Sequence, residues 1–220
     1  MTVKVLLYPM TQTIQPALRT YIETYILPLY GLFDAAHQLN HALTVIEQSL
    51  LLAQYYDVNL DMVYAIAAYH DTGLTEGRKI HQLVSGRIIR QDTKLRDFFT
   101  AEEIEIMAEA AEDHCASSDH APRSIYGKIV AEADRLIDGE TIVRRTIQYG
   151  LSHYPELKKE GHFKRFLLHM KEKYAEGGYL KLWIPESVNA RRLKEFQQLL
   201  HNEAATEKLF NSIWEEETLK

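Results

Sequence analysis

The sequence predicts an all-α protein folded as a single domain over residues 1–220. Three observations carry this expectation. Apolar residues recur at spacings of three and four along most of the chain, the period of a helix face rather than the alternation of a strand. Helix-boundary signals punctuate that pattern, among them Asn59, Gly73 and the segment Thr100-Ala-Glu-Glu103. The strand candidate, Val3 to Leu7, is short and is soon followed by Pro9. No repeat, low-complexity segment or linker interrupts the chain.

Thr13 to Tyr30 reads as a first helix, with Pro16 tolerable in its first turn. Pro28 and Gly31 then break the pattern. A second helix is expected from about Asp34 to Gln54, its stripe formed by Leu39, Leu43, Ile46, Leu50 and Ala53. Asn59 offers an N-cap oxygen for the next helix, which reaches His70 and stops near Gly73. Thr72 to Arg78 reads as a polar loop, and Ile80 to Gln91 as a fourth helix. At Thr100 and Glu103 the two side chains can satisfy each other's amide groups, a capping box that opens a helix ending near His114. Ala116 to Pro122 reads as a loop and Ser124 to Ile137 as a helix. Glu140 to Tyr149, Glu156 to Tyr174 and Ser187 to Trp214 complete the helical set, with Tyr179 to Ile184 a loop or short extended piece.

Bulk properties narrow the function classes. The chain of 220 residues is 46% hydrophobic and 25% charged, so it can bury a sizeable core. Its net charge of −6 argues against nucleic acid as a partner, although an isolated phosphate in a metal pocket stays compatible. No apolar run approaches the roughly 18 residues that a membrane span needs, and the N-terminal residues carry no signal pattern. The lone Cys115 excludes an intrachain disulfide and fits a reducing cytoplasm. The apolar residues of the C-terminal stretch, Phe196 to Trp214, can cover the chain's own domain or a second subunit; the first is expected, and a homodimer stays open.

Ten histidines invite attention to spacing. His37 and His41 lie four apart, so they are expected on one face of one helix. Gln38 stands where a zinc-protease motif requires Glu, which excludes that motif. The plainer reading is two imidazoles satisfied on a helix face. His70-Asp71 ends an apolar helix, where a histidine also favours the negative pole of the dipole. His81 begins a helix, His114 ends one, and Asp134 lies in an apolar segment where an ionised carboxylate needs a partner or a metal. Together these groups suggest a site for a divalent metal.

The order His41, then His70-Asp71, then Asp134 resembles the HD superfamily of metal-dependent phosphohydrolases. His41-Ala-Leu-Thr-Val45 with Ala53, His81 with Ser85, Glu112-Asp-His-Cys-Ala-Ser-Ser118 with Pro122, and Lys128 to Leu136 extend the likeness, the last two to one uncharacterised bacterial subgroup. Gly161-His-Phe163 echoes that subgroup's C-terminal region, and the likeness covers about residues 34 to 175. It implies a helical bundle around a buried metal site, the core at 34–175 with the N-terminal helix and the C-terminal extension packed on it. It further implies that His41, His70, Asp71 and Asp134 hold one ion, and that His81 and His114 hold a second with Asp71 as bridge. The metal would be one or two divalent ions of Mn, Fe, Co, Ni, Mg or Zn. Many relatives carry an acidic residue or a lysine shortly after His-Asp, where this chain has Thr72-Gly73-Leu74. Catalytic roles are therefore expected for Asp71 and His37, and substrate contacts for Lys79 and Arg78. The acidic residue two before Asp134 is present as Glu132, whereas the following carboxylate is displaced by one, to Asp138. The expected activity is hydrolysis of a phosphate mono- or diester of a small, nucleotide-like metabolite. The alternatives are a di-iron oxygenase with the same ligand set, or a non-catalytic ligand-binding module.

Overall fold

A computed structural model describes residues 13–33, 37–135 and 137–219, and the strand expected at Val3 to Leu7 lies outside them. Among the described residues the regular structure is entirely helical. In chain order the helices are α1 (Pro16–Tyr21), α2 (Leu39–Ala53), α3 (Leu60–Tyr69), α4 (His81–Gln91), α5 (Ala101–Glu112), α6 (Ile125–Asp134), α7 (Gly139–His153), α8 (Lys159–Lys173), α9 (Asn189–His201) and α10 (Glu203–Thr218). The described residues gather into two compact units. The first runs up to Arg135 and includes Trp183–Ser187; the second holds the rest.

The first unit is organised around α3. Every residue from Met62 to Tyr69 is buried, as expected of a helix that is apolar on all sides. Helices α2, α5 and α6 pack around it, and its small residues Ala65, Ala67 and Ala68 let them approach closely. Asn59 caps its start by accepting from the Asp61 amide at 3.0 Å. Its carboxyl end then delivers His70 and Asp71 into the interior, where both are buried.

Several expected boundaries shift. The first expected helix is α1 followed by a π turn at Ile22–Ile26 and a 3-10 turn at Leu27–Leu32. Gln38 has an extended backbone (φ −77°, ψ 175°), so α2 begins only at Leu39. His37 consequently precedes the helix, and the expectation that it shares a helix face with His41 is corrected. Thr72 to Arg78 is no open polar loop either. It forms a 3-10 turn at Thr72–Glu76, and a second follows at Arg78–Ile80, with Gly77 at φ 104° between them. Thr72 and Gly73 are buried against α4, and the Thr72 hydroxyl donates to the Tyr69 carbonyl at 2.7 Å. Helix α6 stops at Asp134 rather than at Ile137.

In the second unit the stretch expected as one helix over 187–214 is two. Asn202 breaks it, its side chain accepting from the Ala205 amide and opening α10. Helix α7 pairs with α8 and α10. Arg144 bonds Glu140, Glu216 and Glu217, and Phe163, Phe166, Phe210 and Trp214 form an aromatic cluster. Asp138 acts here as the N-cap of α7, accepting from the Thr141 amide at 2.8 Å.

Candidate metal centre

Five chain segments of the first unit bring six side chains to one point: the start of α2, the end of α3, the start of α4, the end of α5 and the end of α6. Five of the six lie at a helix terminus or just beyond it, where a single side chain can turn inward without interrupting an apolar face. His41 Nε2 lies 3.2 Å from His70 Nε2, 3.4 Å from Asp71 Oδ2 and 3.2 Å from Asp134 Oδ1. His70 Nε2 is 3.2 Å from Asp71 Oδ2 and 3.9 Å from Asp134 Oδ1. The other oxygen of the same carboxylate, Asp71 Oδ1, lies 3.3 Å from His81 Nε2 and 3.4 Å from His114 Nε2, and these two nitrogens are 3.2 Å apart. Asp71 thus stands between two groups of imidazoles, one oxygen toward each.

Backbone carbonyls orient three of the rings. His70 Nδ1 is 2.7 Å from the Ala67 carbonyl, His81 Nδ1 2.8 Å from that of Arg78, and His114 Nδ1 2.6 Å from that of Ala111. A carbonyl can only accept, so each Nδ1 carries the proton and each neutral Nε2 presents a lone pair. Lone pairs and carboxylate oxygens then converge with no proton of their own to share. Such a donor set fits a cation, and the distances fit too. An ion bound tetrahedrally at about 2.0–2.1 Å holds its nitrogen and oxygen ligands about 3.3–3.4 Å apart. Among the described residues two clusters bring donor atoms close enough together to hold an ion: His41, His70 and Asp71, and His81, His114 and Cys115.

Without an ion, protons take the cation's role. Burial opposes the charged form of His41, but hydrogen bonds to Asp134 and Asp71 prevail and push its pKa up to about 9. Burial likewise opposes His81, and Asp71 and Cys115 prevail, again to about 9. His114 is raised well above its ordinary value by Cys115 and Asp71, against its own burial. Asp71 and Asp134 would be raised by burial, yet the surrounding imidazoles hold both well below the carboxylate range. Burial would raise the Cys115 thiol as well; His114 and His81 outweigh it and bring it down to about 6.

The remaining candidates stand apart from this set. His37 lies in a bend, its ring centroid 5.9 Å from that of His41. Arg78 and Lys79 are exposed on the second 3-10 turn; it is the backbone carbonyl of Arg78 that bears on the centre, by orienting His81. Glu132 is buried and accepts from the amides of Trp183 and Ile184, a structural anchor.

Three further residues belong here that the sequence pattern left unassigned. Tyr30 is fully buried; its hydroxyl donates to the Ala68 carbonyl at 3.0 Å and accepts from the Asp71 amide at 3.3 Å. Ser85, noted only as part of a likeness, accepts from the Gly73 amide at 2.9 Å. Cys115 places Sγ 3.5 Å from His81 Nε2 and 3.8 Å from His114 Nε2. Nothing in the local sequence of Tyr30 marks its role, because its partner is 41 residues away. For Cys115 the signal was adjacency to His114. Beside it opens a cavity of about 710 Å³, lined by Cys115, Ser117, Ser118, His120 and Arg123 among others. Arg123 is held there by Asp113, Glu112 and Glu109.

Among the described residues no helix is long and apolar enough to cross a membrane. Neither a search of the curated proteins nor one of the solved structures finds a match. The family model of the HD domain does match, over residues 39–138, a span that contains all six convergent side chains. Residues 39–138 of the chain therefore form an HD domain.

Proposed function

We propose that the protein is a metal-dependent phosphohydrolase that cleaves a phosphate mono- or diester of a small, nucleotide-like metabolite. The observation that carries this reading is the division of Asp71 between two groups of imidazole lone pairs. In this reading His41, His70, Asp71 and Asp134 hold one divalent ion, and His81 and His114 hold a second with Asp71 between them. Ions bound there supply charge to neutralise phosphoryl oxygens and acidify water for attack on phosphorus.

The chain's own contribution is positioning and charge, which dominate phosphoryl transfer. The carbonyls of Ala67, Arg78 and Ala111 fix the tautomers of three imidazoles and raise their basicity. Tyr30 holds the backbone at Asp71, which fixes the point from which the carboxylate reaches both groups. The cavity beside Cys115 is of a size suited to a small metabolite, and its Ser117, Ser118 and His120 offer hydrogen-bonding groups to a phosphate. Arg78 and Lys79 are assigned to substrate contact as exposed cations just before His81, and His37 to proton transfer beside His41. The protein is taken to act on its substrate in the cytoplasm, as a single chain or as a homodimer.

Metal-loaded protein incubated with aryl phosphates and a panel of nucleotides tests the reading. Release of phosphate or of a nucleoside product is expected with at least one of Mn, Co, Ni, Mg, Fe or Zn, and Asp71→Ala should abolish both turnover and metal uptake. Absence of turnover with every one of these metals would overturn the assigned activity. Unchanged metal content in Asp71→Ala would overturn the assigned centre.

A further inference from the structure

The second group of imidazoles has a neighbour of different chemistry. Cys115 follows His114 directly, and its sulfur faces both His81 Nε2 and His114 Nε2, at 3.5 and 3.8 Å. In their neutral forms those two nitrogens cannot bond each other across their 3.2 Å gap, since carbonyls already take the proton of each ring at Nδ1. Asp71 Oδ1, a third acceptor, stands 3.3 and 3.4 Å from them. The spacing of the sulfur is informative. Around a tetrahedral ion with nitrogen at about 2.0–2.1 Å and sulfur at about 2.3 Å, the nitrogen-to-sulfur edge is about 3.6 Å. The two observed distances bracket that value.

We propose that Cys115 is a direct thiolate ligand of the second ion, completing with His81, His114 and Asp71 Oδ1 a set of two nitrogens, one oxygen and one sulfur. This rests on the reading of a metal centre given above and adds a selectivity to it. The first position, with two imidazoles and two carboxylates, accepts hard and intermediate cations alike. The second, through its sulfur, takes Zn²⁺, Co²⁺ or Fe²⁺ in preference to Mg²⁺ or Mn²⁺. The thiol proton passes to solvent as the sulfur–metal bond forms, so loading this position releases one proton that a serine ligand set would not.

The test is titration of the full chain with Co²⁺ under reducing, anaerobic conditions, read by absorption and by metal stoichiometry. A near-ultraviolet sulfur-to-cobalt charge-transfer band is expected to grow in with one of two bound equivalents. It should be missing in Cys115→Ser, whose affinity for that equivalent of Co²⁺ or Zn²⁺ should drop by at least the roughly 10–100-fold typical of disturbed metal shells. Two equivalents bound by the unaltered chain without a sulfur band would overturn the thiolate and leave the metal centre standing. No equivalent bound would overturn both. Because the band is read in the unaltered chain, the outcome does not depend on the variant folding; Cys115→Ala provides a second variant that adds no hydroxyl.

Discussion

At Asp71 one side chain serves two groups, and its backbone is held by a residue from elsewhere in the sequence. The Tyr30 hydroxyl answers two buried backbone groups at once, the Ala68 carbonyl and the Asp71 amide. Tyr30→Phe keeps the ring and removes both bonds, which should cost about 1–3 kcal/mol for the groups left unsatisfied. Urea unfolding of the metal-free protein measures that loss, and metal titration should show about 10–100-fold weaker binding, since the support of a ligand is gone. Unchanged affinity would show that Asp71 is held by the centre itself. Gly73 presents a different constraint. A Cβ there would lie 1.9 Å from the His81 carbonyl oxygen and 2.7 Å from the Ser85 amide nitrogen, both backbone atoms that cannot rotate aside. Gly73→Ala should therefore displace the start of α4, with a loss of about 3 kcal/mol or more. The second bound equivalent of metal should be lost before the first, because His81 rides on α4 while His41 and His70 do not. Equal loss of both equivalents would show that the displacement spreads through α3.

Elements place these residues, and what a sequence reveals of an element depends on how local its cause is. The Thr100–Glu103 capping box was legible because all its partners lie within four residues, and it forms as expected. The buried character of α3 and its abrupt end on His70-Asp71 were legible from an unbroken apolar run. The order of the six convergent residues was legible through a family likeness, and each lies close to the segment expected. Less visible was His37, whose displacement from α2 hinges on the extended backbone of Gln38. The 3-10 turn at Thr72–Glu76 looked like a polar loop because its burial comes from α4, not from its own composition. The break at Asn202 was hidden for a similar reason, since its capping oxygen resembles any exposed amide until the backbone turns. Between α4 and α5, Arg90 reaches Glu105 and Glu112, and Arg123 reaches Glu112 from the other side. Burial would raise the Glu112 carboxyl, but hydrogen bonds from Arg90 and Arg123 hold it below its ordinary 4.5. A carboxylate depressed on folding contributes stability above its unfolded pKa and loses it as pH falls through the folded value. Stability measured by urea unfolding should thus decline below about pH 4.5. Glu112→Gln should start lower and show a flatter acid limb; an equally steep limb would place the acid sensitivity elsewhere.

For the whole molecule, metal and pH should act together. In the metal-free protein His41 and His81 gain protons on folding, their pKa values rising from 6.5 to about 9 through Asp134, Asp71 and Cys115, against burial. Groups raised in this way stabilise the fold fully below pH 6.5, and that contribution is lost as pH climbs through about 9. A bound ion reverses the dependence, because it requires both imidazoles without their extra protons and competes with those protons below about pH 9. The metal-free chain should therefore weaken between pH 6.5 and 9, while the stabilisation added by a fixed concentration of Zn²⁺ should grow over the same interval. A free ion at a hundred times its dissociation constant adds about 2.7 kcal/mol. The two tryptophans allow this to be followed unit by unit, since Trp183 belongs to the first compact unit and Trp214 to the second. In Trp214→Phe the fluorescence of Trp183 reports the unit that contains the convergent side chains, and in Trp183→Phe that of Trp214 reports the other. Zinc should raise the Trp183 transition at pH 8 by more than it does at pH 6. If the two reporters shift equally, the units unfold as one. If the Trp183 shift is the same at both pH values, protons and metal do not compete for His41 and His81, and the convergent set is not where the ion binds.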